Sequence, residues 1–237
     1  VWFAASNGNF SPQSVAVQPV AWTETIAAKG MRKVLTLPDG TRVKLNSGSV
    51  LQVAEPFAQG GQRQVKLQGE AWFDVASDPR RPFSIETTDM EVKVLGTAFT
   101  VTAYPQEEKR AVAVLHGKVE VRHRPDREQP QVLVLQKGQM AVREQAGKAL
   151  QTSGLNEDLV AWKNNVLVIN TSNFNEIAAS IERWYGVKVQ AERAVRLGTG
   201  FTGRFENPSL VNLMNSLSYA LDIDYNYNKE TGVVRIW

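Results

Sequence analysis

The sequence predicts a mainly β N-terminal domain of stacked strands, solenoid-like or sandwich, followed by a small α+β domain of order βαβ-βαββ. Three observations lead there. Apolar residues alternate at period two from about Ile26 to Leu150, the signature of half-buried strands. Glycine joints at Gly69, Gly96, Gly117 and Gly138 divide these runs, with spacings of 27, 21 and 21 residues. Near residue 158 the period changes to that of amphipathic helices.

Taken in order, residues 1–24 read as a linker, because Ser, Asn, Gln, Gly and Pro occur there with little periodicity. The chain opens VWFAASNGNF without Met, so Val1 to Ala5 are expected to be the tail of an apolar segment in a longer protein. The β domain is assigned to 25–157. Its strands carry Val34 and Leu37, then Val43 and Leu45 beyond the turn Pro38-Asp39-Gly40, then Val65, Leu67, Ala71, Phe73 and Val75. EVKVLGTAFTVTAY (91–104) follows, and Val112, Val114, Val119, Val121, Val132, Val134, Met140 and Val142 complete the series. Gly suits the joints because it reaches positive φ without a Cβ clash.

The α+β domain is assigned to 158–237. A strand at Leu167 to Ile169 leads through N-cap candidates Asn170, Thr171 and Ser172 into a helix with Phe174, Ile177, Ala178, Ile181 and Trp184 or Tyr185 on one face. Gly186 stops it. Strands follow at 187–191 and 201–205. Pro208-Ser209 opens a second helix carrying Leu210, Leu213, Met214, Leu217 and Leu221, and a hairpin over 223–237 ends the chain.

Composition narrows the function. Apolar residues at 43% and charged residues at 22% are ordinary for a folded protein, and no apolar run approaches the roughly 18 residues of a membrane span. The absence of cysteine excludes disulfides and Cys-ligated metal. Residues 1–157 hold 19 basic and 16 acidic side chains and residues 158–237 hold 8 of each, so neither part is a nucleic-acid footprint. The densest basic stretch, Arg122, His123, Arg124 and Arg127, reads as a solvated hairpin loop.

Catalytic constellations fail their tests. His116 and His123 are poor partners for one metal and read as surface or turn residues. Glu70 and Asp74 share a strand face but lie about 13 Å apart, too far for a glycosidase pair. Asp222 and Asp224 sit at a helix-to-strand corner where exposed acids are ordinary. Gly198-Thr-Gly200-Phe-Thr-Gly203 matches a dinucleotide loop in letters, yet Phe201 and Phe205 alternate as a strand through it and the next helix begins only near Pro208. No enzyme, cofactor or metal is expected. Trp72 has the opposite parity to Phe73 and faces the other way. Exposed, it would stack on a sugar, which makes a carbohydrate-binding all-β module the alternative reading.

LPDGTRVKLNSGSVL (37–51), VKLQGEAWFDVASDPRRPFSIET (65–87), VKVLGTAFTVTAY (92–104), VLHGKVEV (114–121) and LQKGQMAV (135–142) together resemble the periplasmic region of FecR-family anti-sigma regulators. AWKNNVLVINTSNFNEIAASIERWYGVKV (161–189) and FTGRFENPSLVNLMNSL (201–217) resemble the small C-terminal domain of many members, one similar to the short N-terminal domain of secretins and TonB-dependent transporters. Two departures are mild: VLVI at 166–169 where an aromatic is common, and Val53-Ala-Glu55 where relatives have Tyr-Pro. The resemblance implies the periplasmic portion of a single-pass inner-membrane protein of a Gram-negative bacterium. It further implies a signal received from the periplasmic domain of a TonB-dependent outer-membrane transporter. The output would be control of an extracytoplasmic-function sigma factor, held by a cytoplasmic segment beyond a transmembrane helix upstream. Trp162, Arg183, Trp184 and Tyr185 are the expected partner contacts, with packing between the two domains as their alternative role.

Overall fold

Alternation of apolar and polar residues gives each strand one inward face, and here the inward faces close on a single core. The computed structural model describes residues 20–57, 61, 63–123, 130–171, 173–192, 195 and 200–237. Its first thirteen strands are β1 Ala21–Ala27, β2 Lys33–Thr36, β3 Arg42–Leu45, β4 Ser49–Glu55, β5 Arg63–Asp74, β6 Phe83–Glu86 and β7 Met90–Val94. They continue as β8 Ala98–Ala103, β9 Arg110–His116, β10 Lys118–His123, β11 Gln131–Gln136, β12 Gln139–Arg143 and β13 Gln151–Gly154. They form one sheet curled into two layers. The first layer runs β1-β4-β5-β6-β7-β10-β11 and the second β2-β3-β5-β8-β9-β12-β13.

β5 belongs to both layers. Its first half pairs with β4 and, in parallel, with β6; its second half pairs with β3 and β8. The choice between solenoid and sandwich therefore resolves into a curled sheet whose layers share one strand. The glycine joints are the places where the chain changes layer. Gly69 bends β5 itself, with φ of 106° and the Ser49 side chain against it. Gly96, between β7 and β8, needs no positive φ; there the requirement is space, because a Cβ would lie 2.7 Å from Ser77 Cα.

Between the layers Phe73 stacks on Phe99 at 5.5 Å and meets Phe83 at 6.0 Å. Arg63 begins β5 and is fully buried. Its guanidinium donates to Asp39 Oδ2 at 2.8 Å and to the carbonyls of Ala76 and Arg81 at 2.6 and 2.8 Å. This ties the Pro38-Asp39-Gly40 turn to the central strand.

Two expectations change in the β domain. The first described strand begins at Ala21 rather than 25, because β1 is an edge strand whose mostly exposed residues mix polar and apolar and hide the alternation; residues 1–19 lie outside the described residues. His123 is not a turn residue: β10 carries the inward parity of Val119 and Val121 on to it, and it is buried with Nε2 2.9 Å from Arg143 Nη1. Arg124 and Arg127 of the expected basic loop lie outside the described residues.

A 3-10 helix, Glu157–Asn164, joins the β domain to the second core. That domain consists of β14 Val166–Thr171, α1 Phe174–Tyr185, β15 Lys188–Ala191, β16 Phe201–Glu206, α2 Leu210–Leu221, β17 Tyr225–Asn228 and β18 Val233–Ile236. β14 pairs with β16, while β18 lies between β15, parallel to it, and β17, antiparallel. Asn173 caps α1 instead of the expected Asn170 or Thr171, and Ser172 lies outside the described residues. Thr171 supports that cap, its hydroxyl accepting from Asn173 N–H at 3.0 Å and donating to Glu176 at 2.6 Å. Gly200 to Gly203 lead into and form part of β16, so that end of the glycine motif is strand; Gly198 and Thr199 lie outside the described residues.

Replacing Gly96 by Val should force Ser77 away and cost about 1–3 kcal/mol, read as a lower midpoint in urea. Arg63→Met should cost about 3–5 kcal/mol in the same measurement, because it leaves the Asp39 carboxylate buried without its partner.

Candidate functional site: the seam between the domains

Strand parity points Lys44, Glu70, Trp72, Thr100 and Thr102 outward from the second layer, where they should meet water. Instead Glu70, Thr100 and Thr102 are buried, and Trp72 and Lys44 are half-buried. Something covers them. The 3-10 helix lies over one end, with Lys44 donating to the Lys163 carbonyl and the Lys163 ammonium 5.6 Å from the Trp72 ring centroid. The C-terminal end of α1 covers the other.

The receiving socket is the crossing from β3 to β4, Asn46-Ser47-Gly48. Ser47 Oγ accepts from Gly30 N–H at 2.7 Å and donates to the Arg183 carbonyl, which also accepts from Gly30 N–H at 3.0 Å. The two chains approach main chain to main chain. A Cβ on Gly30 would lie 2.9 Å from the Tyr185 carbonyl oxygen, and one on Gly186 would lie 2.8 Å from that of Lys29.

Charge lines the socket. Arg183 pairs with Glu107, and its guanidinium carbon lies 4.6 Å from the Tyr104 ring centroid. Tyr104 donates to the Ser47 carbonyl at 2.9 Å, and burial pushes its phenol well above the usual range. Arg32 lies over the Trp184 ring at 3.8 Å and donates to Asn46 Oδ1 at 3.0 Å and Asn165 Oδ1 at 3.4 Å. Asn46 Nδ2 in turn donates to Glu70 Oε2 at 2.6 Å. A continuous polar chain thus runs from β5 to the aromatic end of α1.

All four expected partner contacts gather at or beside this seam, and none is exposed. Arg183 and Trp184 touch the β domain as just described. Tyr185 packs on the C-terminal core and donates to the Pro208 carbonyl at 2.9 Å, its phenol pushed up to about 12 by burial. Trp162 is 6% exposed within the 3-10 helix. Arg183 and Trp184 lie between the domains, whereas Tyr185 bonds within the C-terminal one. Trp72 belongs to the same seam, with its Nε1 shielded from solvent, and does not offer an open ring to a sugar.

Sequence reasoning missed Arg32, Asn46, Ser47, Glu70 and Tyr104 as seam residues. The available signal was polar side chains close to glycine at Arg32, Asn46, Ser47 and Glu70; strand parity assigned Glu70 to solvent, and Tyr104 read as core. Among the described residues no three His, Cys, Asp or Glu side chains could hold a metal ion. A shallow cleft of about 250 Å³ on the outer face of the first layer, lined by Glu24, Gln52, Lys66 and Glu86, is smaller than ordinary ligand pockets. Arg32→Ala and Trp184→Ala should prove non-additive in a double-mutant cycle on thermal stability, with a coupling of about 0.5–2 kcal/mol.

The comparisons agree with this architecture. The FecR protein family profile matches residues 23–120, and the FecR C-terminal profile matches residues 166–234. Two crystal structures of a candidate anti-sigma factor from Parabacteroides distasonis ATCC 8503 are similar along nearly their whole length. One, at 2.50 Å resolution, has 29% identity and a TM-score of 0.79, covering 92% of this chain and 99% of that one. The other, at 1.65 Å, has 30% identity and a TM-score of 0.78, covering 91% and 98%. No curated protein matches the chain. With both family domains in order around the seam, the chain belongs to the FecR family of anti-sigma factors.

Proposed function

We propose that this chain is the periplasmic sensor region of a membrane-anchored anti-sigma regulator. In this reading it receives a signal from the periplasmic signalling domain of a TonB-dependent outer-membrane transporter, and its output is control of an extracytoplasmic-function sigma factor. Among the described residues no helix is long and apolar enough to cross a membrane, so anchoring would fall to a segment outside them.

One observation carries the docking half of this reading: the C-terminal sheet has an open edge at β17. Asp224 and Trp237 exchange both backbone hydrogen bonds, which sets the ladder's alternation. In that register Asn226 and Asn228 bond to β18, and the N–H and C=O groups of Tyr225 and Tyr227 point away from it. An edge of this kind accepts an extended strand through main-chain bonds, with the half-buried tyrosine rings supplying contact area. At the sheet's other edge, Glu182 Oε1 accepts from Val189 N–H at 3.0 Å and fills that position. The seam residues Trp162, Arg183, Trp184 and Tyr185 then act behind the docking edge, passing its occupancy to the β domain.

Titration of the chain against the transporter's signalling domain tests the proposal, with Tyr227→Pro as the diagnostic variant. Proline removes an outward donor and leaves the β18 ladder intact. Affinity should fall at least tenfold while the circular dichroism spectrum stays unchanged. Binding to glycans with none to the transporter domain would return the carbohydrate-binding reading.

A further inference from the structure

Glu70 is the one carboxylate among the described residues that is buried in the seam while forming no ion pair there. It stands on the outward face of β5, turned away from the β core, with the socket loops and Arg183 of α1 around it. Thr102 Oγ1 donates to its Oε1 at 2.8 Å and Asn46 Nδ2 to its Oε2 at 2.6 Å. The cation nearest in role, Arg183, is committed to Glu107.

The seam has the composition of a separable joint. The apolar cores of the two domains share no residue. What crosses between them is the ion pairs Lys29–Glu182, at 3.2 Å, and Arg183–Glu107, the Arg32 guanidinium on Trp184, and backbone contact such as Gly30 N–H with the Arg183 carbonyl. Polar interfaces of this kind permit relative domain motion unless something locks them.

We propose that the seam is a proton-controlled latch, closed when Glu70 is protonated and released when Glu70 ionises. The groups facing this carboxyl come from every packed element. They are Asn46 from the β3–β4 crossing, Thr102 from β8, Tyr104 and Glu107 beyond it, Arg32 from the β1–β2 crossing and Arg183 from α1. Burial raises the Glu70 pKa above the ordinary carboxyl value, against the lowering effects of the Asn46 bond, Arg183 and the Thr102 bond, with Glu107 adding to the rise. In an opened seam water restores the ordinary value. The closed form therefore holds its proton to higher pH than the open form. Closure is favoured as pH falls and is lost as pH rises through the closed-state pKa. The protonated carboxyl is satisfied in place, since the Thr102 hydroxyl can turn from donor to acceptor, whereas the ionised one is left as a buried charge with two neutral donors and no ion pair. The latch is independent of which partner occupies β17.

The chain has no cysteine, so Ser153→Cys in β13 and Asn226→Cys in β17, both exposed positions, would place one spin label on each domain. Pulsed electron resonance between pH 5 and 8 should show a single interdomain distance at low pH and a second population at high pH. The open-to-closed ratio should rise by up to about tenfold per pH unit while Glu70 titrates. Glu70→Gln should stay closed throughout. Should that variant not fold, carboxyl carbon NMR of Glu70 in the parent and in Arg183→Met gives the second readout: removing the Arg183 cation from the closed seam should move the midpoint further above the ordinary value. A distance distribution unchanged with pH, a Glu70→Gln protein responding as the parent does, or a Glu70 midpoint indifferent to Arg183 would each overturn the latch.

Discussion

β5 has to satisfy two hydrogen-bonding neighbourhoods in succession, with β4 and β6 along its first half and β3 and β8 along its second. That double duty constrains everything around it. A strand of twelve residues would run straight through both layers, so it must turn at Gly69 and be held at its start. Arg63 does the holding, and because it is buried it must be paired and hydrogen-bonded at every turn, which fixes the Asp39 turn and the carbonyls of Ala76 and Arg81 around it. The aromatic core of Phe73, Phe83 and Phe99 can interdigitate only once the two halves of β5 are set at this angle.

The same bend presents Glu70 and Trp72 on the outer face, and the seam is built upon them. One backbone feature thus determines both where the β core closes and where the second domain docks. Sheet edges face the other way along the molecule's connectivity: β17 is the far edge of the C-terminal sheet, while the end of α1 reaches the socket. A signal arriving at one would have to pass through the C-terminal core to reach the other, and Trp184 and Tyr185, packed on that core and adjacent to the socket, lie on the route.

Much of this was legible in the sequence. Period two located the strands of the β domain, and caps with period 3.6 placed α1 and α2, because burial on one face leaves a direct imprint on residue order. The glycine joints were legible as joints, although Gly96 proved to be a matter of room beside Ser77 rather than of φ. The seam was legible only from its α1 side, where packing between the domains stood as the alternative role of Trp162, Arg183, Trp184 and Tyr185; its β-domain side was not legible. Glu70, Thr100 and Thr102 have the parity of solvent-facing residues, and nothing local in a strand records that a domain a hundred residues later will cover it. Trp162, Arg183, Trp184 and Tyr185 stood out as aromatic and basic residues grouped around a helix, yet residue type does not distinguish an open contact surface from a closed one. β1 was missed for a related reason, since an exposed edge strand has little burial to record.

Gly30 and Gly186 bring the two domains together main chain to main chain, with no room for a Cβ at either position. Such a contact is insensitive to which residues drift nearby, because its geometry is set by two missing Cβ atoms and by peptide groups common to every residue. It also has a single seating position, for a shift of even half an ångström drives backbone into backbone. In the proposed latch, a joint of this design would return the two domains to the same mutual orientation each time the seam closed.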